Sequence, residues 1–239
     1  MKKIQLSVVL LFVFVVLVKP VLAISMKTLE NSGGSDFKIY PNHQNDIGWE
    51  TDLKNNLKLI QIGDFFLRIN SIIRVISEDS PPGANFRTIN FNLWPNVGYQ
   101  IKRNQVFTLG WYHWSEHWYH PYFSNLWVTN INLFAIDYLY QGNNDRIYAV
   151  TGYKIGHNNY PLQSMTEIEY QHLFFQYLEP GIAINYFNFN KENLFSTDFQ
   201  LAVNLGKSGY SIFAGWRAGS APIILFQPNG FYWGFLMKW

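Results

Sequence analysis

A histidine and a serine two residues apart, His113 and Ser115, stand in an aromatic run reading Val106-Phe107-Thr108-Leu109-Gly110-Trp111-Tyr112-His113-Trp114-Ser115-Glu116-His117. A serine hydroxyl is a weak nucleophile until an adjacent base takes its proton, and imidazole can do so near neutral pH. On a β-strand, positions i and i+2 share one face, so the two side chains can approach each other. The same run matches H-x-x-E-H through His113, Glu116 and His117, with His120 as a further possible ligand. That zinc pattern works on a helix, where positions four apart lie together. This run is aromatic and patterned as a strand, so neither metal nor cofactor is expected. His43, His157 and His172 are scattered and read as structural.

The elements that would position such a pair are strands. From Arg87 to Ile101 the odd positions include Ile89, Phe91, Leu93, Val97 and Tyr99, while the even positions include Thr88, Asn90, Asn92, Asn96 and Gln100. From Phe195 to Leu205 the odd positions are again mainly apolar and the even ones mainly polar. Period-two alternation of this kind separates two environments across one sheet. It predicts strands at 65–78, 86–101, 106–117, 127–140, 146–156, 166–178, 181–190, 194–206, 209–219 and 230–239. Short turns are expected near Arg103-Asn104, Gly142-Asn143, Glu179-Pro180 and Ser208-Gly209, alternating with longer connections. Residues 24–64 read as an irregular lead-in or edge strands.

Composition and the first residues set the compartment. Lys2 and Lys3 precede an apolar run ending at Lys19-Pro20, and Val21-Leu22-Ala23 follows, which predicts a signal peptide over 1–23. The run is too short for a membrane anchor, which needs about 20 apolar residues. Cleavage removes three lysines, lowering the basic count from 18 to 15 against 16 acidic residues. The pI of 8.6 is therefore a property of the precursor. No basic cluster points to nucleic acid, which is not an expected partner. There is no cysteine, which excludes disulfides, thiol catalysis and lipoprotein anchoring.

Aromatic residues make up 18% of the chain and charged residues only 14%, against roughly 25% charged in ordinary soluble domains. A barrel whose strands alternate lipid-facing and lumen-facing residues accounts for both figures. The expected fold is therefore all-β: an antiparallel transmembrane β-barrel of about ten strands, within a range of eight to twelve, over 65–239, in a bacterial outer membrane. Inward-facing Arg68, Arg74, Arg146, Lys154 and Arg217 would meet Glu167, Glu169 and Asp198 as a plug of paired charges, with an ion path as the alternative. A rise of about 3.3 Å per residue and a tilt near 40° put His113 and Ser115 roughly 18 to 23 Å above the inner turn, near the outer-leaflet boundary. A hairpin turning at 102–106 would place Pro95 near His113 and Leu93 near Ser115.

The H-x-S segment on an outward-facing strand resembles the local motif of outer-membrane phospholipase A and of the lipid A 3-O-deacylases. That resemblance implies that His113 is a general base, that Ser115 attacks an acyl ester, and that an Asn or acidic group orients the histidine. Asn125, Asn130 and Asn132 are open candidates for the third position, and Asn130 is the one carried forward. Those families commonly place Asn after the Ser; here Glu116 follows it and points to the opposite face. The longer run, with Gly219-Ser220-Ala221-Pro222, also resembles an uncharacterised family of outer-membrane barrels with an H-x-S-S-H-type segment. The last strand, ending on Trp239, resembles the C-terminal signal read by the barrel-assembly machinery. The resulting expectation is an outer-membrane barrel that acts as a serine esterase on phospholipid or lipopolysaccharide. The competing expectations are an aromatic girdle on a non-catalytic structural, adhesion or narrow-channel barrel, and a soluble β-sandwich.

Overall fold

The computed structural model describes residues 30–41, 47–78, 85–118, 127–156, 160–206, 209–220 and 229–238. The expected signal peptide, His43, His120, Asn125, His157 and Trp239 lie outside the described residues. The strands are β1 (Glu30–Ile39), β2 (Ile47–Ile62), β3 (Phe65–Glu78), β4 (Asn85–Lys102), β5 (Gln105–Trp118) and β6 (Trp127–Gln141). They continue as β7 (Asp145–Lys154), β8 (Leu162–His172), β9 (Leu178–Phe189), β10 (Asn193–Asn204), β11 (Tyr210–Gly219) and β12 (Gly230–Lys238). Each pairs antiparallel with its sequence neighbours, and β1 pairs with β12 from Gly34 opposite Lys238 to Ile39 opposite Trp233. Closure leaves no unpaired sheet edge.

Twelve strands, not about ten, make up the described barrel. The two additional strands, β1 and β2, lie in the segment read as an irregular lead-in or edge strands. Their inward faces carry Asp36, Lys38, Glu50 and Asp52, all buried. Their outward faces mix Ser35, Thr51 and Asn55 with apolar residues. A bulge between Lys58 and Ile60 also shifts the phase of β2 against β3. A thin apolar stripe with a phase shift does not register as period two.

One turn also moves. A turn is expected at Glu179-Pro180, whereas both residues belong to β9, Pro180 opposite Leu201. The chain reverses at Phe175 and Gln176, which hold φ of 50° and 66°, braced by Phe174 and Leu178 exchanging backbone hydrogen bonds of 2.7 and 3.0 Å. Left-handed backbone at Phe and Gln is uncommon and carries no composition cue. The β8–β9 ladder stops at Gln171 opposite Gly181, so Pro180 sits where a missing N–H interrupts no ladder on that side.

The outward faces form an apolar belt that includes Phe65, Val97, Phe199 and Trp216, each at least half exposed apart from neighbours on the same face. Aliphatic and aromatic side chains in an unbroken ring suit hydrocarbon rather than water. Inside, the barrel has two unlike walls. Along β4 to β9 the lumen is packed by Trp94, Tyr112, Trp114, Leu133, Met165 and Phe187. Along β1 to β3 and β10 to β12 it is ionic. Lys38 meets Glu50 at 2.8 Å, Lys54 meets Asp36 at 2.8 Å, and Arg74 grips Asp52 through two bonds of 2.7 and 2.9 Å. Arg217 donates to Asp198 at 2.7 and 3.0 Å, and Tyr232 donates to the same carboxylate. One further pair, Arg146 on β7 with Glu169 on β8 at 2.9 Å, lies outside the ionic wall. Of the expected inward pairs, Arg146–Glu169 and Arg217–Asp198 form, whereas Arg74 turns to Asp52 and Glu50 and Arg68 lies 3.8 Å from Asp137, around a remaining lumen cavity of about 680 Å³.

Candidate active site

The outward stripe of β5 runs Leu109, Trp111, His113, Ser115, His117. Leu109 and Trp111 are exposed to about 40%, whereas Ser115 is only 9% exposed. Cross-strand neighbours explain the change. On one side Leu93 stands opposite His113 and Phe91 opposite Ser115. This replaces the expected Pro95 and Leu93 by two residues, because β4 and β5 turn tightly at Arg103-Asn104 with an irregularity between Gln100 and Lys102. Phe91 also meets His117 edge-on, with ring centres 5.4 Å apart. On the other side the β5–β6 register sets Asn132 opposite His113 and Asn130 opposite Ser115.

The decisive contact is between His113 and Asn132. Nδ1 of His113 lies 2.8 Å from Oδ1 of Asn132, and the indole Nε1–H of Trp111 donates to the same oxygen at 3.1 Å. An indole N–H can only donate, so the Asn132 atom facing it must be the carbonyl oxygen and not the amide nitrogen. An amide oxygen only accepts, so Nδ1 of His113 carries the proton. In the neutral ring the lone pair is then on Nε2, the state a general base requires. Trp111 also packs against the imidazole, with ring centres 5.3 Å apart at 41°.

The amide that meets His113 is that of Asn132, not that of Asn130, the candidate favoured by the sequence. Both alternate outward with Phe134 and Ile136, which are exposed, but β5 and β6 are joined through residues 119–126, and a long loop leaves the register uncountable from sequence. Asn130 instead stands across from the serine, where cross-strand Cβ atoms are about 5 Å apart. Trp111 gave no chemical signal of its own in the sequence, since a tryptophan at that depth reads as girdle. Among the described residues His113 and Ser115 share no hydrogen bond. Their Cα atoms are separated by about 6.6 Å of strand rise on one face of β5. Catalytic contacts of this kind are often long before substrate binds.

The residues on either side of His113, Tyr112 and Trp114, are locked inside. Tyr112 accepts a hydrogen bond from Asn92 at 2.7 Å and meets Trp94 edge-on at 5.6 Å. The Arg74 guanidinium stands 5.9 Å over the ring of Trp114. Gly110 lets β5 approach β4 just before the site, since a Cβ there would come within 2.2 Å of the Pro95 carbonyl oxygen. Side chains fixed on alternate positions hold the strand that presents His113 and Ser115. Glu116 is fully buried on the lumen face, while His113 and His117 lie outside and about 13 Å apart along the strand. The H-x-x-E-H spacing therefore brings no ligand set together, and no metal-binding group of three such side chains occurs among the described residues.

No protein-family description and no curated protein sequence matches the chain. Solved structures do. Outer membrane phospholipase A from Escherichia coli matches at a TM-score of 0.61 and 12% identity, over 88% of this chain and 98% of that one. The dimer of the Salmonella typhi outer membrane phospholipase with bound calcium matches at 0.61 and 12%, over 90% and 94%. The KdgM porin matches at 0.56 and 8%, over 87% and 99%. Among the matches is a variant of the Escherichia coli enzyme in which an active-site asparagine is changed to alanine, at 0.59 and 10% over 92% and 93%. At these identities the likeness is one of fold: the chain has the closed, antiparallel architecture of outer-membrane β-barrels.

Proposed function

We propose that this barrel sits in a bacterial outer membrane, exported by its N-terminal signal, and hydrolyses acyl esters of outer-leaflet phospholipid or lipopolysaccharide. The observation that carries the reading is the Asn132–His113 contact of 2.8 Å on the lipid-facing side of the barrel, beside a serine two residues on. In this scheme Ser115 Oγ attacks the acyl carbonyl as His113 Nε2 takes its proton. Asn132 keeps the ring in the Nδ1–H tautomer and stabilises the imidazolium. The tetrahedral intermediate expels the alcohol, which takes the proton from His113, and water then cleaves the acyl-serine by the same route. Asn130, opposite the serine, is the side-chain amide best situated to face the developing oxyanion. The active-site asparagine of the Escherichia coli phospholipase supports an amide in the third role. Assembly through the C-terminal strand ending at Trp239 belongs to the same reading.

The test is expression of wild type and Ser115→Ala in one outer membrane, with phospholipid and lipid A compared by mass spectrometry. The reading expects lyso-lipid or deacylated lipid A with wild type alone. Identical profiles would remove it. A second reading, a narrow channel, is favoured by the lumen cavity of about 680 Å³ and the likeness to the KdgM porin. Stepwise conductance of the purified protein in a planar bilayer would support that reading; a silent bilayer removes it.

A further inference from the structure

Resting on the hydrolase reading, we infer that Trp111 is a positioning residue whose indole N–H selects the working tautomer of His113 by fixing which end of the Asn132 amide faces the imidazole. An asparagine amide can turn by half a rotation about its last torsion with almost no change in shape. With Oδ1 toward the ring, as found, Nδ1 of His113 must donate and Nε2 is the base. With Nδ2 toward the ring, Nδ1 must accept, the proton moves to Nε2, and Nε2 can no longer take a proton from the serine. Each orientation offers His113 one hydrogen bond, so that bond alone does not discriminate between them. The indole does, because it can only donate and stands 3.1 Å from Oδ1. Turning the amide would set two donors against each other.

Trp111 serves this role from an exposed position on the lipid face, where a tryptophan otherwise reads as interfacial anchor. The anchor role needs an aromatic ring; the selecting role needs the N–H. Trp111→Phe separates the two, since phenylalanine keeps an aromatic ring beside His113 and loses only the donor. A carboxylate at position 132 has acceptors at both ends and no wrong orientation, so Asn132→Asp makes the donor at 111 unnecessary.

The experiment compares wild type, Ser115→Ala, Trp111→Phe, Asn132→Asp and Trp111→Phe/Asn132→Asp, each folded into detergent micelles containing phosphatidylethanolamine. Fatty-acid release and the nitrogen-15 shifts of the His113 ring are measured together. Trp111→Phe should lower kcat about five- to ten-fold, the size of one lost hydrogen bond, with a shift of the ring toward the Nε2–H form. The double variant should return to within about two-fold of Asn132→Asp alone, a coupling that independent sites lack. Wild-type kcat and an unchanged tautomer in Trp111→Phe would overturn the inference, as would a double variant as impaired as the product of the two singles. Release that persists in Ser115→Ala removes the hydrolase reading instead, and the nitrogen-15 comparison still decides the tautomer. A Trp111→Phe sample that does not fold is replaced by Trp111→Tyr, whose hydroxyl cannot reproduce the indole N–H position, with the same rescue expected.

Discussion

The two walls of the lumen are built by opposite means. Where β1 to β3 meet β10 to β12, the interior is a mesh of ion pairs in which Glu50 and Asp52 are fully buried beside Lys38, Arg74 and Arg217. Where β4 to β9 curve round, an aromatic and aliphatic cluster packs the interior, with Leu133 and Leu162 fully buried. The ionic wall lies where the two ends of the chain close the barrel: its ion pairs tie neighbouring strands, and Arg217 on β11 donates to Tyr40, just past β1, at 3.4 Å. The apolar wall lies directly behind His113, Ser115 and Asn132. Charges with directional partners specify which strands meet; close packing fixes strand position to the tenths of an ångström a reacting pair needs. The proposed site therefore stands on the wall suited to precision, and closure on the wall suited to register.

Substitutions that separate these roles follow, from the largest effect to the smallest. Ser115→Ala should abolish acyl hydrolysis, a loss of at least about 10³-fold, with an unchanged midpoint of urea unfolding. Asp52→Ala should do the reverse. It leaves Arg74 with Glu50 alone at 3.5 Å and costs about 3 kcal/mol of stability, read from the same unfolding curve, while the kcat of the folded fraction holds. Leu133→Ala, in the apolar wall beside Asn132, should sharpen the contrast by lowering both quantities. A buried leucine lost to a cavity costs about 2 to 5 kcal/mol, and the slackened strand should reduce kcat several-fold. Glu169→Gln weakens the part-exposed pair with Arg146 and should change stability by no more than about 1 kcal/mol, with no effect on hydrolysis.

These contrasts follow the line between what was legible in the sequence and what was not. Strands β4 and β10 were legible because one face meets an apolar environment and the other a polar lumen, and Arg74, Arg146 and Arg217 fell on the lumen face by parity alone. β1 and β2 were not, because the ionic wall places charge on one face and small polar groups on the other, with a bulge between. His113 and Ser115 stood out through their types and spacing, which are local properties of one strand. Asn132 and Trp111 did not, because their role depends on how β6 registers against β5 across residues 119–126. That register depends on tertiary pairing, and its shift by a single residue turns every outward side chain inward. The reversal at Phe175 and Gln176 escaped for a different reason: nothing about either residue type favours the backbone it adopts.

The most direct test of the central claim, that His113 activates Ser115 on the lipid face, is labelling by a long-chain alkyl sulfonyl fluoride, which reacts with activated serines, followed by peptide mapping. The wild-type protein should carry one adduct at Ser115, lost in His113→Ala and strongly slowed in Asn132→Ala. An unlabelled Ser115, or equal labelling in His113→Ala, would contradict it.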